Sequence, residues 1–229
     1  MKKIYQTQNK YLWQSLGFSW KDTPVISFVG GGGKSRLNRI LPKELSEKKI
    51  GHRIFTTTHM WPMAGDAWGK QIGPVDASGK VCPPSEAEMQ KIFAERLPVL
   101  IEADGSKGRP CKAPEVWEPV LRPETTHVFG VIGASCLGKT IRDGCHRPER
   151  VAEIIGDGEG PVTEDHRIGI EDLAKLAKSP CGLYKNVTEK QFFGVIINQV
   201  DTVQVYEKVR PLQDMLNPAV TLYVLLFQF

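Results

Sequence analysis

The chain has 229 residues, 41% hydrophobic and 24% charged, which suits a single domain over 1–229 that buries a full core without staples. A formal net charge of +4 admits an anionic ligand, but without zinc-finger spacing, a basic helix or an RNA-binding signature it argues against a nucleic-acid partner. Five scattered cysteines with no C-x-x-C pair, and no secretory leader, fit reduced thiols in a cytoplasmic protein.

Apolar residues at helical spacing over 5–16 (Tyr5, Leu12, Trp13, Leu16) predict a short leading helix that ends near Gly17. A first strand comes next at 25–29, then a helix over about 34–48, which Pro42 should kink or end early. Residues 53–57 predict the second strand. The segment 59–84 is rich in Gly, Pro and Trp without a clear period, and reads as a hairpin or ligand-facing flap. Ser85 and Glu88 have capping-box spacing and predict a helix to about Arg96. Strands are expected at 98–103 and 127–132, helices at 148–155 and 170–178, and a strand at 191–197. A helix over 203–216 has Pro211 as an internal fault. The run 220–227 predicts a last strand, too short to span a bilayer, and the chain end two residues beyond it reads as truncated. Strands that are apolar throughout, alternating with helices, predict a mainly parallel sheet buried on both faces.

The most informative segment is VISFVGGGGKS, residues 25–35. A strand breaks into Gly30, Gly31, Gly32 and Gly33, and Lys34 and Ser35 then open a helix. Glycines let backbone N–H groups curl inward, and the helix directs its positive end to the same point. Lys34, expected at the exposed mouth of the loop, supplies a mobile cation for outer phosphates, and Ser35 can hold Mg²⁺. The spacing is G-x-x-G-K-S, shorter than the common G-x-x-x-x-G-K-[ST]. A merely structural turn is the alternative, but four glycines cost backbone entropy without adding packing.

In an open α/β sheet, ligands bind beyond the carboxyl ends of the strands, so the residues just past each strand matter most. The second strand ends in Thr56-Thr57-Thr58-His59, where hydroxyls, Thr57 among them, can reach Mg²⁺ or phosphate. Ordinary β-propensity explains the same threonines. The third strand ends in Glu102-Ala103-Asp104-Gly105. Two carboxylates two residues apart share a strand face, and an acid here is the usual second half of a phosphate-loop site. Asp104 is favoured for the metal, with Glu102 as the alternative or as the base, while Asp104-Gly105 is also a strong turn signal. Lys107, Arg109 and Lys112 come directly after, able to neutralise charge in phosphoryl transfer or to hold an anionic second substrate. His146 and Arg147 lead into a helix through Pro148 and can face the same pocket. The fifth strand ends in Asn198-Gln199-Val200-Asp201. Asn198 and Asp201 read as base-recognising groups, favouring GTP slightly over ATP, or Asp201 reads as a helix cap.

These segments together resemble the YqeC-like family, accessory proteins of selenium-dependent molybdenum hydroxylases. The resemblance rests on residues 27–35, 56–60, 101–119, 146–149 (HRPE), 182–187 (GLYKNV) and 198–201, with EADGSKGRP its most specific run. Cys111 stands where Leu is usual and Gln199 where Lys is common. The resemblance implies a P-loop NTPase-like three-layer α/β domain. It also implies a role in making or inserting a selenium-containing molybdenum cofactor. The expected ligands are Mg²⁺ with ATP or GTP, and the expected partners are the hydroxylase or its cofactor-assembly proteins.

Overall fold

Every residue of Val25–Gly30 is buried, and alternate side chains enter different cores. Val25 and Val29 join one apolar cluster, Ile26 and Phe28 another. A strand buried on both faces requires helices above and below it, and the fold supplies them.

The computed structural model describes residues 4–6, 11–158, 160–216 and 220–225. Its strands are β1 (Ile4–Gln6), β2 (Val25–Gly30), β3 (His52–Thr56), β4 (Gly69–Gln71), β5 (Val99–Glu102), β6 (Cys111–Lys112), β7 (His127–Gly133), β8 (Cys145–His146), β9 (Phe192–Asn198) and β10 (Thr221–Val224). The helices are α1 (Leu12–Leu16), α2 (Lys34–Glu47), α3 (Glu86–Ala94), α4 (Ile141–Gly144), α5 (Pro148–Gly156), α6 (Ile170–Lys178), α7 (Val203–Val209) and α8 (Leu212–Met215). Leu12, Leu16, Leu37, Leu41 and Leu45 bring α1 and α2 onto the Ile26–Phe28 face. Apolar residues of α3 to α8 cover the opposite face. The result is a three-layer α/β domain.

The sheet has eight strands in the order β1-β10-β9-β7-β2-β5-β3-β4, and every pairing is parallel. From β2 the chain moves outward to β3 and β4, returns to β5 beside β2, then crosses to β7 on the other flank. The winding therefore reverses at β2, and a crevice opens above its carboxyl end, where such sheets bind ligands. β6 and β8 form a separate parallel pair, with Cys111 opposite Cys145 and Lys112 opposite His146.

Several expectations are corrected. The leading helix is shorter than its apolar pattern, and Ile4–Gln6 is a strand because it pairs with β10. Pro42 does not end α2, which runs unbroken from Lys34 to Glu47. The proline removes one backbone hydrogen bond, but Leu41 and Leu45 beside it are fully buried and hold the helix together. Around Pro211 the chain does divide, into α7 and α8. The capping box of Ser85 and Glu88 forms with both its hydrogen bonds. The last strand is Thr221–Val224, and the expected residues 226–227 lie outside those described. The flap 59–84 carries β4 and an antiparallel bridge between Met60 and Val81.

Candidate functional site

Gly30, Gly32 and Gly33 adopt φ of 95°, 81° and 122°, and close chain contacts forbid a side chain there. A Cβ on Gly32 would stand 2.1 Å from the Gly133 nitrogen. Three loop N–H groups already have partners inside the protein. Gly30 donates to both Asp104 oxygens at 3.1 and 2.9 Å, Gly31 to the Val131 carbonyl at 2.9 Å, and Gly32 to the Arg109 carbonyl at 3.0 Å. The part of the run that opens outward is its end. Gly33, Lys34 and Ser35 start α2 with no side-chain cap, and all three line a cavity of about 520 Å³. First-turn N–H groups lack intrahelical acceptors and carry the positive end of the helix dipole.

Lys34 is not at an exposed mouth. It is 3% exposed, its ammonium donates to the Gly30 carbonyl, and it lies 3.1 Å from Asp104 Oδ1. Asp104 Oδ2 is 3.1 Å from Lys112 Nζ. Lys112 in turn reaches Glu118 Oε2 at 2.7 Å and the Gly105 carbonyl at 2.7 Å. Glu118 also accepts from Arg147 at 2.5 Å, and Arg147 Nε lies 3.3 Å from Glu115. Charges of alternating sign thus run Lys34–Asp104–Lys112–Glu118–Arg147–Glu115, the arrangement that buried ions require. The segment 182–187 braces this chain of charges. Lys185 donates to the Glu115 and Val116 carbonyls, and Asn186 to the Pro119 carbonyl at 3.0 Å.

The two acids after the third strand do not share a role. β5 ends at Glu102, the Ala103 N–H donates to the Phe28 carbonyl at 3.0 Å, and the chain turns Asp104 beneath Gly30. Asp104 is thereby occupied by one N–H and two ammonium groups. Glu102 instead faces Ser35 Oγ and Asn38 Nδ2, each at 3.4 Å, and lines the cavity. Burial raises its pKa; the Lys34 charge opposes this and the Asp104 charge adds to it.

The remaining lining supplies cations. Lys107, Arg109 and Arg147 line the cavity with Lys80 from the flap. Arg109 also donates to the Asp143 carbonyl. His146 lines it too, and its pKa is lowered to about 4 by burial and then by Arg147, Lys112 and Lys107. Its imidazole should titrate near pH 4 in the free protein. The unfolded chain takes up this proton first, so the stability it contributes is lost as pH falls from the usual histidine range toward 4. A polyanion in the cavity should move the titration upward, because a nearby negative charge favours imidazolium. Histidine NMR titration with and without added triphosphate measures both effects, and an unmoved His146 resonance would count against anion binding here.

The sequence of this framework has relatives. The YqeC protein family matches residues 26–149. The chain is also 31% identical to the Escherichia coli (strain K12) protein described as "Uncharacterized protein YqeC", over 74% of this chain and 73% of that protein. The chain belongs to the YqeC family. No solved structure is significantly similar to it. The YqeC match contains the glycine run, both acids, the flap and all of the alternating charges, whereas the 182–187 brace and Asn198 lie beyond it.

Other residues expected at this site are placed differently. Thr57 donates to the Val120 carbonyl at 2.9 Å, and it is Thr58 that lines the cavity. Asn198 is buried and donates to the Gly32 carbonyl at 2.8 Å, so it clamps the glycine run rather than meeting a base. Asp201 is exposed and does not line the cavity, and Thr202 caps α7 in its place. Gln199 does line it, held by Ser135 Oγ at 2.6 Å. Cys111 packs in the core, its thiol pushed up by hydrogen bonding to Cys136 and Cys145. Sequence reasoning did not find the Lys112–Glu118–Arg147 linkage. Its signal was the block of bases between acids in 104–118, but the pairing of β6 with β8 that brings Arg147 to it spans about thirty residues.

Among the described residues no helix is long and apolar enough to cross a membrane.

Proposed function

We propose that the chain binds the magnesium complex of a nucleoside triphosphate, ATP or GTP, above the start of α2 and hydrolyses it. The observation that carries this reading is the uncapped first turn of α2, where Ser35 Oγ faces Glu102 at 3.4 Å on the wall of a cation-lined cavity. In this reading the domain is P-loop NTPase-like. Phosphate oxygens take the N–H groups of Gly33, Lys34 and Ser35. Ser35 and Glu102 hold Mg²⁺, and Lys107 and Arg109 offset charge developing on the phosphoryl group. Asp104 fixes the loop from below, and keeps Gly30 and Lys112 as partners when Lys34 turns to a phosphate. Transfer to a small anionic acceptor is the second reading, favoured by His146 and Arg147 in the same cavity.

Ser35 is exposed, so Ser35→Ala should fold and melt like wild type. Calorimetric titration with MgATP and MgGTP should show one site in wild type and a loss of at least about tenfold in the variant. Equal affinity in both proteins would overturn the assignment. Phosphate release without an acceptor supports hydrolysis; turnover only with an acceptor supports transfer.

The biological setting we propose is the one the resemblance implies: maturation of a selenium-dependent molybdenum hydroxylase. A hydroxylase produced without this protein should contain molybdenum cofactor but lack labile selenium, as elemental analysis would reveal. Full selenium content in that enzyme would remove the assignment.

A further inference from the structure

The flap brings together three ligating side chains that the nucleotide reading leaves unused. Met60 and Val81 exchange backbone hydrogen bonds at 3.0 and 2.8 Å in an antiparallel bridge, a register that sets His59 opposite Cys82. The Cys82 N–H donates to the Pro74 carbonyl at 2.8 Å, and Val75 also bridges to Val81, which draws Asp76 into the same corner. Asp76 Oδ1 accepts from the Ser78 N–H, Ser78 Oγ and the Lys80 N–H at 2.8, 2.6 and 3.0 Å. Its Oδ2 is turned the other way, 3.8 Å from His59 Nε2 and 3.8 Å from Cys82 Sγ. The three ligand atoms lie within 4.8 Å of one another.

We propose that His59, Asp76 and Cys82 form a binding site for a divalent transition metal, with Zn²⁺ the best match. One nitrogen, one oxygen and one sulfur exclude Mg²⁺ and Ca²⁺, which take oxygen ligands. Zinc bonds of about 2.0–2.3 Å in a tetrahedron place neighbouring ligands about 3.3–3.8 Å apart, so the corner needs little movement to close on an ion. The loop donors on Oδ1 fix the carboxylate, as outer hydrogen bonds commonly do for metal ligands. An ion bound by the Cys82 sulfur displaces its thiol proton, because the thiolate is the ligating form. Lys80 offers Asp76 only its N–H, and its ammonium lies over the Trp61 ring, 5.3 Å from the centroid. His59 also lines the large cavity. An ion here would tie the two ends of the flap together at the cavity rim, whether or not a nucleotide binds there.

The test is titration of the whole, metal-free protein with Co²⁺ as the spectroscopic substitute for Zn²⁺. Wild type should take up one equivalent and develop both thiolate-to-cobalt charge transfer and the visible bands of tetrahedral cobalt. Zn²⁺ should then displace the cobalt. Cys82→Ser should abolish the charge-transfer band, while Cys181→Ser, on the exposed cysteine, should leave it unchanged. His59→Ala, at a side chain 57% exposed, should fold normally and weaken Co²⁺ binding by at least about tenfold. That variant decides the matter if Cys82→Ser fails to fold. No stoichiometric band in wild type, a band that survives Cys82→Ser, or undiminished affinity in His59→Ala would each overturn the proposal.

Discussion

Asp104→Ala should destabilise the protein by about 3–5 kcal/mol, the usual cost of removing one partner from a buried ion pair. The residue is 1% exposed and its carboxylate lies between two ammonium groups that are themselves buried. Its removal leaves Lys34 with only the Gly30 carbonyl among the described residues, strips Lys112 of one counter-charge and deprives the Gly30 N–H of its acceptor. A second substitution, Lys112→Met, should restore part of the loss, because Glu118 keeps Arg147 as a partner. Urea unfolding of the two variants beside wild type measures both effects. A single variant as stable as wild type would show that Asp104 does not anchor the loop.

Glu102→Gln should move stability and function in opposite directions. Burial raises the Glu102 pKa, so ionising this carboxyl costs more in the folded protein than in the unfolded chain. Gln keeps an oxygen for the Ser35 hydroxyl and the Asn38 amide and avoids the charge. The variant should therefore melt higher than wild type at neutral pH. The gain should vanish below the ordinary carboxylate range, where Glu102 is protonated in both states, and grow as pH rises through its elevated folded value. In the proposed reaction, where Glu102 is one of the two side chains assigned to Mg²⁺, magnesium-dependent phosphate release should fall by about a hundredfold or more. Melting curves at several pH values and a phosphate assay decide this. A variant that is destabilised, or that retains full magnesium-dependent turnover, would contradict it.

Local patterns carried what was legible in advance. The passage from strand into glycines and then Lys34–Ser35 needs no distant partner, and neither does the Ser85–Glu88 capping box; both form as read. The parallel sheet was legible because its strands are apolar on both faces. What failed depends on residues far away in sequence. The burial of Lys34 follows from Asp104, 70 positions on, and that of Asp104 from Lys112 on a strand only two residues long. The two-residue period that paired Glu102 with Asp104 holds only within a strand, and β5 stops at Glu102. Asn198 resembled a base-reading residue by its place at a strand end. Its amide closes on the Gly32 carbonyl, 166 positions away.

The pairing of β1 with β10, Ile4 against Leu222, has a consequence for how the protein comes into being. Ile4 and Leu222 stand 218 positions apart, so one strand is made long before its neighbour in the sheet. At about 5–20 residues per second, translation leaves the earlier strand without its partner for roughly 10–45 s. By the end of that interval the inner strands β2, β3, β5 and β7 have been made, while the flank beyond β9 is still an open edge. A ribosome stalled before residue 221 would therefore present a sheet with its glycine loop in place and a bare row of amides beside it, a form for chaperones to shield.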